Sequence, residues 1–401
     1  MKKKLIKLNC LQPFIFLSLH KDGEVYFCCP SRIKIEPIGN LFDKGIEEIW
    51  NNNKMKEIRR RFYDNKIGTI CSSKYCSLVD SIDSIELDQL ERDNEEFKKI
   101  ISAIRARKVE LPFLPLVLTV AVSGECSLRC KMCMSNIDFI PDNKCLNRKV
   151  FDKVIPKLLP GLRHLNLTGN GDPFCQKEVI DFLKNFKKDK YSKLKIDLLT
   201  NGMFFNLEMW KKIKHCNYGT ISVSIDASSR IIYEKIRRGG NWDKLQENLK
   251  LISKLRQQGR FEKFVLNFVV MKSNFREMKD FVYFGMSLKA DKINFQKIFG
   301  YSPGCWEENI NLFRSPKIYL KIKKILKNPV FKKKIVDISQ IEDYKIYKMN
   351  FWDKLGFYKF KKALFLPSLK LYYLIPVKLR RKILIILKRI FPRDFKFKMM
   401  N

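Results

Sequence analysis

Pro115-Leu-Val-Leu-Thr-Val-Ala-Val-Ser-Gly-Glu-Cys-Ser-Leu-Arg-Cys-Lys-Met-Cys-Met134 is an apolar, β-branched run that opens into a loop holding three cysteines. Residues 115–122 have the composition of a buried strand. Cys126, Cys130 and Cys133 follow with the spacing C-x3-C-x2-C. Three thiolates on one short loop leave one iron of a [4Fe–4S] cube without a protein ligand, open to a small chelating molecule. A zinc site or three structural thiols are the simpler readings. The surroundings of the loop decide between them.

Five more runs read as buried strands: His164–Thr168, Leu194–Leu199, Thr220–Asp226, Phe264–Met271 and Lys292–Ile298. Helix-length segments of mixed apolar and charged residues separate them. Six strands alternating with helices predict parallel β/α architecture. Six units are too few for a closed eight-stranded barrel. The expected fold class is therefore α/β, a partial (β/α)6 TIM-type barrel, with a doubly wound sheet as the alternative. The suggestive polar residues gather at the strands' C-terminal ends, where such barrels place their chemistry. The cysteine loop follows the first strand, Asn170-Gly171-Asp172-Pro173 the second, and Thr200-Asn201-Gly202 the third. Ser222, Ser224 and Asp226 end the fourth, Asn267 lies in the fifth and Gln296 in the sixth. Turn formation explains any one of these. It does not explain several of them in register around a cysteine loop.

On these motifs, residues 115–300 resemble the radical S-adenosylmethionine (SAM) superfamily. The resemblance implies that Cys126, Cys130 and Cys133 hold the catalytic cluster and that Met132 lies near the SAM adenine. The family's Gly-Gly-Glu-Pro motif receives the SAM amino group. Its counterpart is Asn170-Gly171-Asp172-Pro173, which departs at two positions and keeps the carboxylate on a shorter arm. Ser222, Ser224 and Asp226 are implied partners of the SAM ribose or carboxylate, and by period two they share one face. Arg237 and Arg238, in Tyr233-Glu-Lys-Ile-Arg-Arg-Gly-Gly240, read either as partners of the SAM carboxylate or as solvated helix-end charges. The implied chemistry is reductive cleavage of SAM to a 5′-deoxyadenosyl radical that takes a hydrogen atom from the substrate. The electron comes from a low-potential donor such as ferredoxin or flavodoxin.

The N-terminal residues carry their own pattern. Cys10 precedes Lys21-Asp22-Gly23-Glu-Val-Tyr-Phe-Cys28-Cys29, then Gly39-Asn-Leu-Phe-Asp43, Ile46-Glu-Glu-Ile-Trp50, Met55-Lys-Glu-Ile-Arg59 and Cys71-x4-Cys76. This resembles the SPASM/twitch auxiliary-cluster module, although that module normally follows the barrel. It implies a second [4Fe–4S] cluster on Cys10, Cys28, Cys71 and Cys76, with Cys29 as substitute for Cys28. Tetrahedral zinc is the alternative occupant. The expected organisation is an auxiliary-cluster domain over 1–82, a helical linker over 83–112, the radical SAM core over 113–300 and a basic helical region over 301–401. Cys305 is a candidate extra ligand or radical partner.

The 401-residue chain carries 12 cysteines and a formal charge of +38. No apolar run reaches membrane-spanning length, and the N-terminus lacks the pattern of a signal peptide. A cytoplasmic protein with reduced cysteines is expected. Residues 351–401 hold 14 Lys/Arg against 2 Asp/Glu. There, Leu379, Ile383, Ile386, Leu387 and Ile390 share one helical face, which suits the inner surface of an anionic membrane or packing on the barrel. The substrate readings are a peptide, protein side chain or small molecule, and a lipid-linked or surface-polysaccharide sugar. Nucleic-acid modification or binding, driven by the charge, and a non-catalytic cluster scaffold are the competing classes.

Overall fold

The computed structural model describes residues 10–20, 23–29, 36–71, 97–121, 125–133, 150–168, 171–298, 303–310 and 316–342. Cys76, Asn170, residues 83–96 of the linker and the basic region 351–401 lie outside the described residues. The parallel core comprises β4 (Val117–Ala121), β5 (His164–Thr168), β6 (Lys195–Thr200), β7 (Tyr218–Ser224), β8 (Phe261–Val270) and β9 (Lys292–Lys297), each hydrogen-bonded to the next in chain order. These are the six strands that the apolar runs predict. Among the described residues the sheet does not close, in agreement with a partial barrel.

Among the described residues, ten strands form the sheet rather than six. β1 (Phe16–Leu19), β2 (Glu24–Tyr26) and β3 (Gly39–Asn40) extend one edge, and β10 (Val336–Asp337) extends the other. β1 runs parallel to β4, with Phe16 opposite Val117 and Leu19 opposite Val120. β1–β2–β3 is an antiparallel meander, and Gly23, at φ +78, makes the turn between β1 and β2. The N-terminal segment is thus joined to the core strand for strand.

The two faces of the sheet differ because side chains alternate along each strand. Leu17, Leu118, Val120, Leu165, Leu167, Ile196, Leu198, Ile221, Val223, Leu266 and Ile293 are buried on one face. Helices cover it: the bond from Ser253 Oγ to the Leu288 carbonyl ties Trp242–Gln257 to the end of Met278–Ser287. Gly285 lets that second helix approach, since a Cβ there would lie 2.5 Å from Ile293 Cδ1. The other face carries Thr119, Asn166, Ser222, Ser224, Asn267 and Asn294. Asn166 Nδ2 donates to Thr119 Oγ1 at 3.1 Å, and Asn294 Nδ2 donates to Asn267 Oδ1 at 3.1 Å.

A buried arginine organises the N-terminal segment. Arg59, on the helix Asn53–Tyr63, is fully buried and donates to the carbonyls of Pro13 (3.0 Å), Val109 (2.7 Å) and Trp50 (3.0 Å) and to Asn51 Oδ1 (2.9 Å). Its guanidinium stacks 4.4 Å from the Trp50 ring centroid. Burial pushes its pKa down, but four hydrogen bonds to acceptors keep the cation in place. Trp50 Nε1 also reaches the Phe113 carbonyl at 2.7 Å, so the segment entering β4 is pinned from both sides.

Candidate active site

The cysteine loop leaves β4 and is fixed by two strand-end loops and one helix end. Asp172 N–H donates to the Glu125 carbonyl at 2.8 Å. The Asp172 carboxylate is buried: Oδ1 accepts from Phe174 N–H at 3.0 Å, and Oδ2 accepts from Thr200 Oγ1 at 2.8 Å and Asn201 N–H at 2.7 Å. Burial pushes this carboxyl up, and the three donors oppose that. Asp172 caps the short turn Pro173–Cys175 and joins the loops after β4, β5 and β6. On the far side, Arg129 N–H donates to the Arg238 carbonyl and Lys131 N–H to the Ile236 carbonyl, both at 2.8 Å.

Hydrogen-bond donors lie beside the sulfurs of Cys126 and Cys130. Cys126 Sγ lies 3.5 Å from both Leu128 N–H and Asn201 Nδ2, and Cys130 Sγ lies 3.7 Å from Arg237 Nη1. Burial raises the Cys126 thiol and pushes Cys130 up to about 11. Thiolates here therefore need a compensating cation, which iron supplies. Donors placed beside two thiols of one loop fit cluster ligation.

Asp226 occupies a different setting from the two serines of β7. The strand ends at Ser224, and Asp226 follows with φ +64, so the period-two expectation stops short of it. Ser222 and Ser224 stay half-buried on the polar face, whereas Asp226 is fully buried. Asp226 Oδ2 accepts from Arg237 Nη2 at 2.6 Å and Oδ1 from Val269 N–H at 2.7 Å. Burial pushes its carboxyl up, and the guanidinium pulls the other way. Arg237 is only 7% exposed, which overturns its reading as a solvated helix-end charge; Arg238 is exposed. The signal was in the sequence: Tyr233, Ile236 and Arg237 recur at helical spacing on one buried face.

Met132 is half-buried, and its carbonyl accepts from Cys305 Sγ at 2.9 Å. Cys305 is buried with Ile236, Met271 and Ile298 in a small apolar cluster that touches Met132. Glu308, on the same helix (Pro303–Glu308), accepts from Lys131 Nζ at 2.6 Å and from Ser273 N–H at 2.9 Å. No sequence motif announced that brace. In the N-terminal segment, Cys71 is buried, Cys10 and Cys28 are half-buried against the core, and Cys29 is exposed. Gly171, at φ +106, and the buried Pro173 flank Asp172.

Residues 120–285 match the sequence model of the radical SAM superfamily, and residues 10–77 match that of SPASM, an iron–sulfur cluster-binding domain. The chain belongs to the radical SAM superfamily. Its cofactors are accordingly SAM and a [4Fe–4S] cluster in the core, with a second cluster in the SPASM domain. GTP 3',8-cyclase of Lactiplantibacillus plantarum is 28% identical over 195 residues, covering 47% of this chain and 56% of the cyclase. Molybdenum cofactor biosynthesis protein 1 of Drosophila melanogaster is 24% identical over 193 residues, covering 47% of this chain and 33% of that protein. Among solved structures, Streptococcus suis SuiB bound to S-adenosylmethionine aligns with a TM-score of 0.44 at 15% identity, covering 73% of this chain and 63% of SuiB. The chain spans about half the length of the curated cyclase. No helix among the described residues is long and apolar enough to cross a membrane.

Proposed function

We propose that this radical SAM protein is an enzyme that takes a hydrogen atom from a polar substrate seated against the polar face of its sheet. The observation that carries this reading is the set of hydrogen-bond donors beside Cys126 and Cys130 at the C-terminal end of β4. When bound, the cluster supplies one electron for reductive cleavage of SAM, and a ferredoxin- or flavodoxin-type donor replenishes it. Cys126, Cys130 and Cys133 hold that cluster. Met132 and the half-buried Ser222 and Ser224 line the SAM side, while Asp172 sets the spacing of the loops. Thr119, Asn166, Asn267 and Asn294 offer neutral donors and acceptors to the substrate. The SPASM domain supports a peptide or protein substrate, with its cluster accepting an electron or seating the substrate. The GTP 3',8-cyclase relatives support a small molecule instead.

Anaerobic reconstitution followed by iron counting tests the reading. Wild type should bind about eight irons, as two [4Fe–4S] clusters require, and should release 5′-deoxyadenosine on addition of SAM and dithionite. A Cys126→Ala/Cys130→Ala/Cys133→Ala variant should lose about half that iron and all the deoxyadenosine. A fully loaded wild type that releases none would defeat the enzyme reading. GTP in the same assay separates the two substrate classes by whether it is consumed.

A further inference from the structure

Arg237 follows the helix Arg230–Ile236 as its C-cap and is buried against a cluster cysteine. Nη2 donates to Asp226 Oδ2 at 2.6 Å, and Nη1 lies 3.7 Å from Cys130 Sγ. Its Nε is buried without a partner among the described residues. Asp226 is itself fixed three times. Its Oδ1 accepts from Val269 N–H at 2.7 Å, its carbonyl accepts from Asn274 Nδ2 at 2.9 Å, and its other oxygen holds Arg237. A non-glycine residue at φ +64 is held there at a cost. The bonds from Arg129 N–H and Lys131 N–H to the helix end flank Cys130 on both sides. The guanidinium is thereby kept at the sulfur.

We infer that Arg237, aimed by Asp226, is a positioning residue of the core cluster that donates to the Cys130 thiolate and raises the cluster's reduction potential. Reduction adds negative charge that the cluster shares with its sulfurs. A donor at one sulfur therefore stabilises the reduced form more than the oxidised form. Burial limits screening by solvent, so the contribution is larger than at an exposed site. Asp226 cancels the net charge of the pair without cancelling its direction, because the guanidinium is the end facing Cys130. This assignment rests on the cluster reading above and adds to it a residue that sets how readily the cluster accepts its electron.

The test is an EPR-monitored redox titration of the reconstituted full-length protein without SAM. The core signal is the one absent from the Cys126→Ala/Cys130→Ala/Cys133→Ala variant. Two variants are compared with wild type: Arg237→Lys, which keeps the charge but loses the fork, and Arg237→Met/Asp226→Asn, which removes both charges and leaves no buried ion unpaired. Full iron content with a midpoint shifted to more negative potential in the double variant, and an intermediate shift in Arg237→Lys, is the expected result. An unchanged midpoint overturns the inference, including the case in which SAM affinity alone falls. Loss of core iron from both variants also overturns it, since Arg237 would then only brace the loop. Deoxyadenosine release by wild type is scored separately, so a failure of the enzyme reading is distinguishable.

Discussion

The side-chain amide of Asn201 lies 3.5 Å from the sulfur of Cys126, while the backbone N–H of the same residue donates to Asp172 Oδ2 at 2.7 Å. One residue at the end of β6 thus touches both a cluster cysteine and the carboxylate that sets the loop positions. Its Oδ1 is occupied by Met203 N–H at 2.9 Å, which fixes the amide with Nδ2 toward the sulfur.

Asn201→Ala should therefore weaken cluster retention without unfolding the sheet. Outer-shell partners of metal ligands typically account for about 10–100-fold in affinity. The rate of iron loss to a chelator, compared with wild type, should rise within that range. A variant that keeps its iron as long as wild type would show the contact to be incidental.

Arg59→Met should lower stability by about 3 kcal/mol, because it leaves three buried carbonyls and Asn51 Oδ1 without their donor. Arg59→Lys should recover little of this, since one ammonium cannot span four acceptors. Urea unfolding of the cluster-free protein, with matched slopes for all three proteins, measures both.

Gly285→Ala should destabilise by about 1–3 kcal/mol through overpacking. The added Cβ would lie 2.5 Å from Ile293 Cδ1 and 3.3 Å from Leu266 Cδ1. Pairing it with Ile293→Val should recover part of the loss if the clash is the cause. A double-mutant cycle in thermal unfolding reads the coupling directly.

His164 Nδ1 donates to Asp197 Oδ2 at 2.7 Å across β5 and β6. The hydrogen bond to Asp197 raises its pKa above the ordinary 6.5, against a smaller opposing effect of burial. The folded state then holds the proton more tightly than the unfolded chain. Stability from this pair is fully present below about 6.5 and is lost as pH rises through the raised folded pKa. The difference in melting temperature between wild type and His164→Gln should shrink as pH rises across that window. A difference that is flat with pH would remove the charged pair.

The six core strands were legible because alternation along a strand survives in the sequence. Leu165 and Leu167, or Ile221 and Val223, announce a buried face on their own. The cysteine loop was legible because its spacing is local. Pairings between distant residues were not. Nothing in Phe16–Leu19 names Val117–Val120 as its partner, so the sequence reading set the N-terminal segment apart from a sheet that it in fact extends. Asp226 read as one more strand-end polar residue in period with Ser222 and Ser224. Its left-handed backbone and its bond to Arg237 depend on a helix that returns to the loop, which spacing alone does not reveal.

The β1–β4 pairing has a consequence for how the chain assembles during synthesis. β1, β2 and β3 can pair as soon as they leave the ribosome, because they lie close together in the chain. The open edge of β1 must then wait until β4 is made, far later in the chain. In that interval an unpaired strand with Leu17 and Leu19 is available to other chains. The same edge works in reverse when the N-terminus is cut away. A truncated protein beginning near residue 97 would leave β4, with Leu118 and Val120, as a bare strand edge. Such a fragment should aggregate rather than persist as a free-standing core, so the two clusters are bound to one folding event.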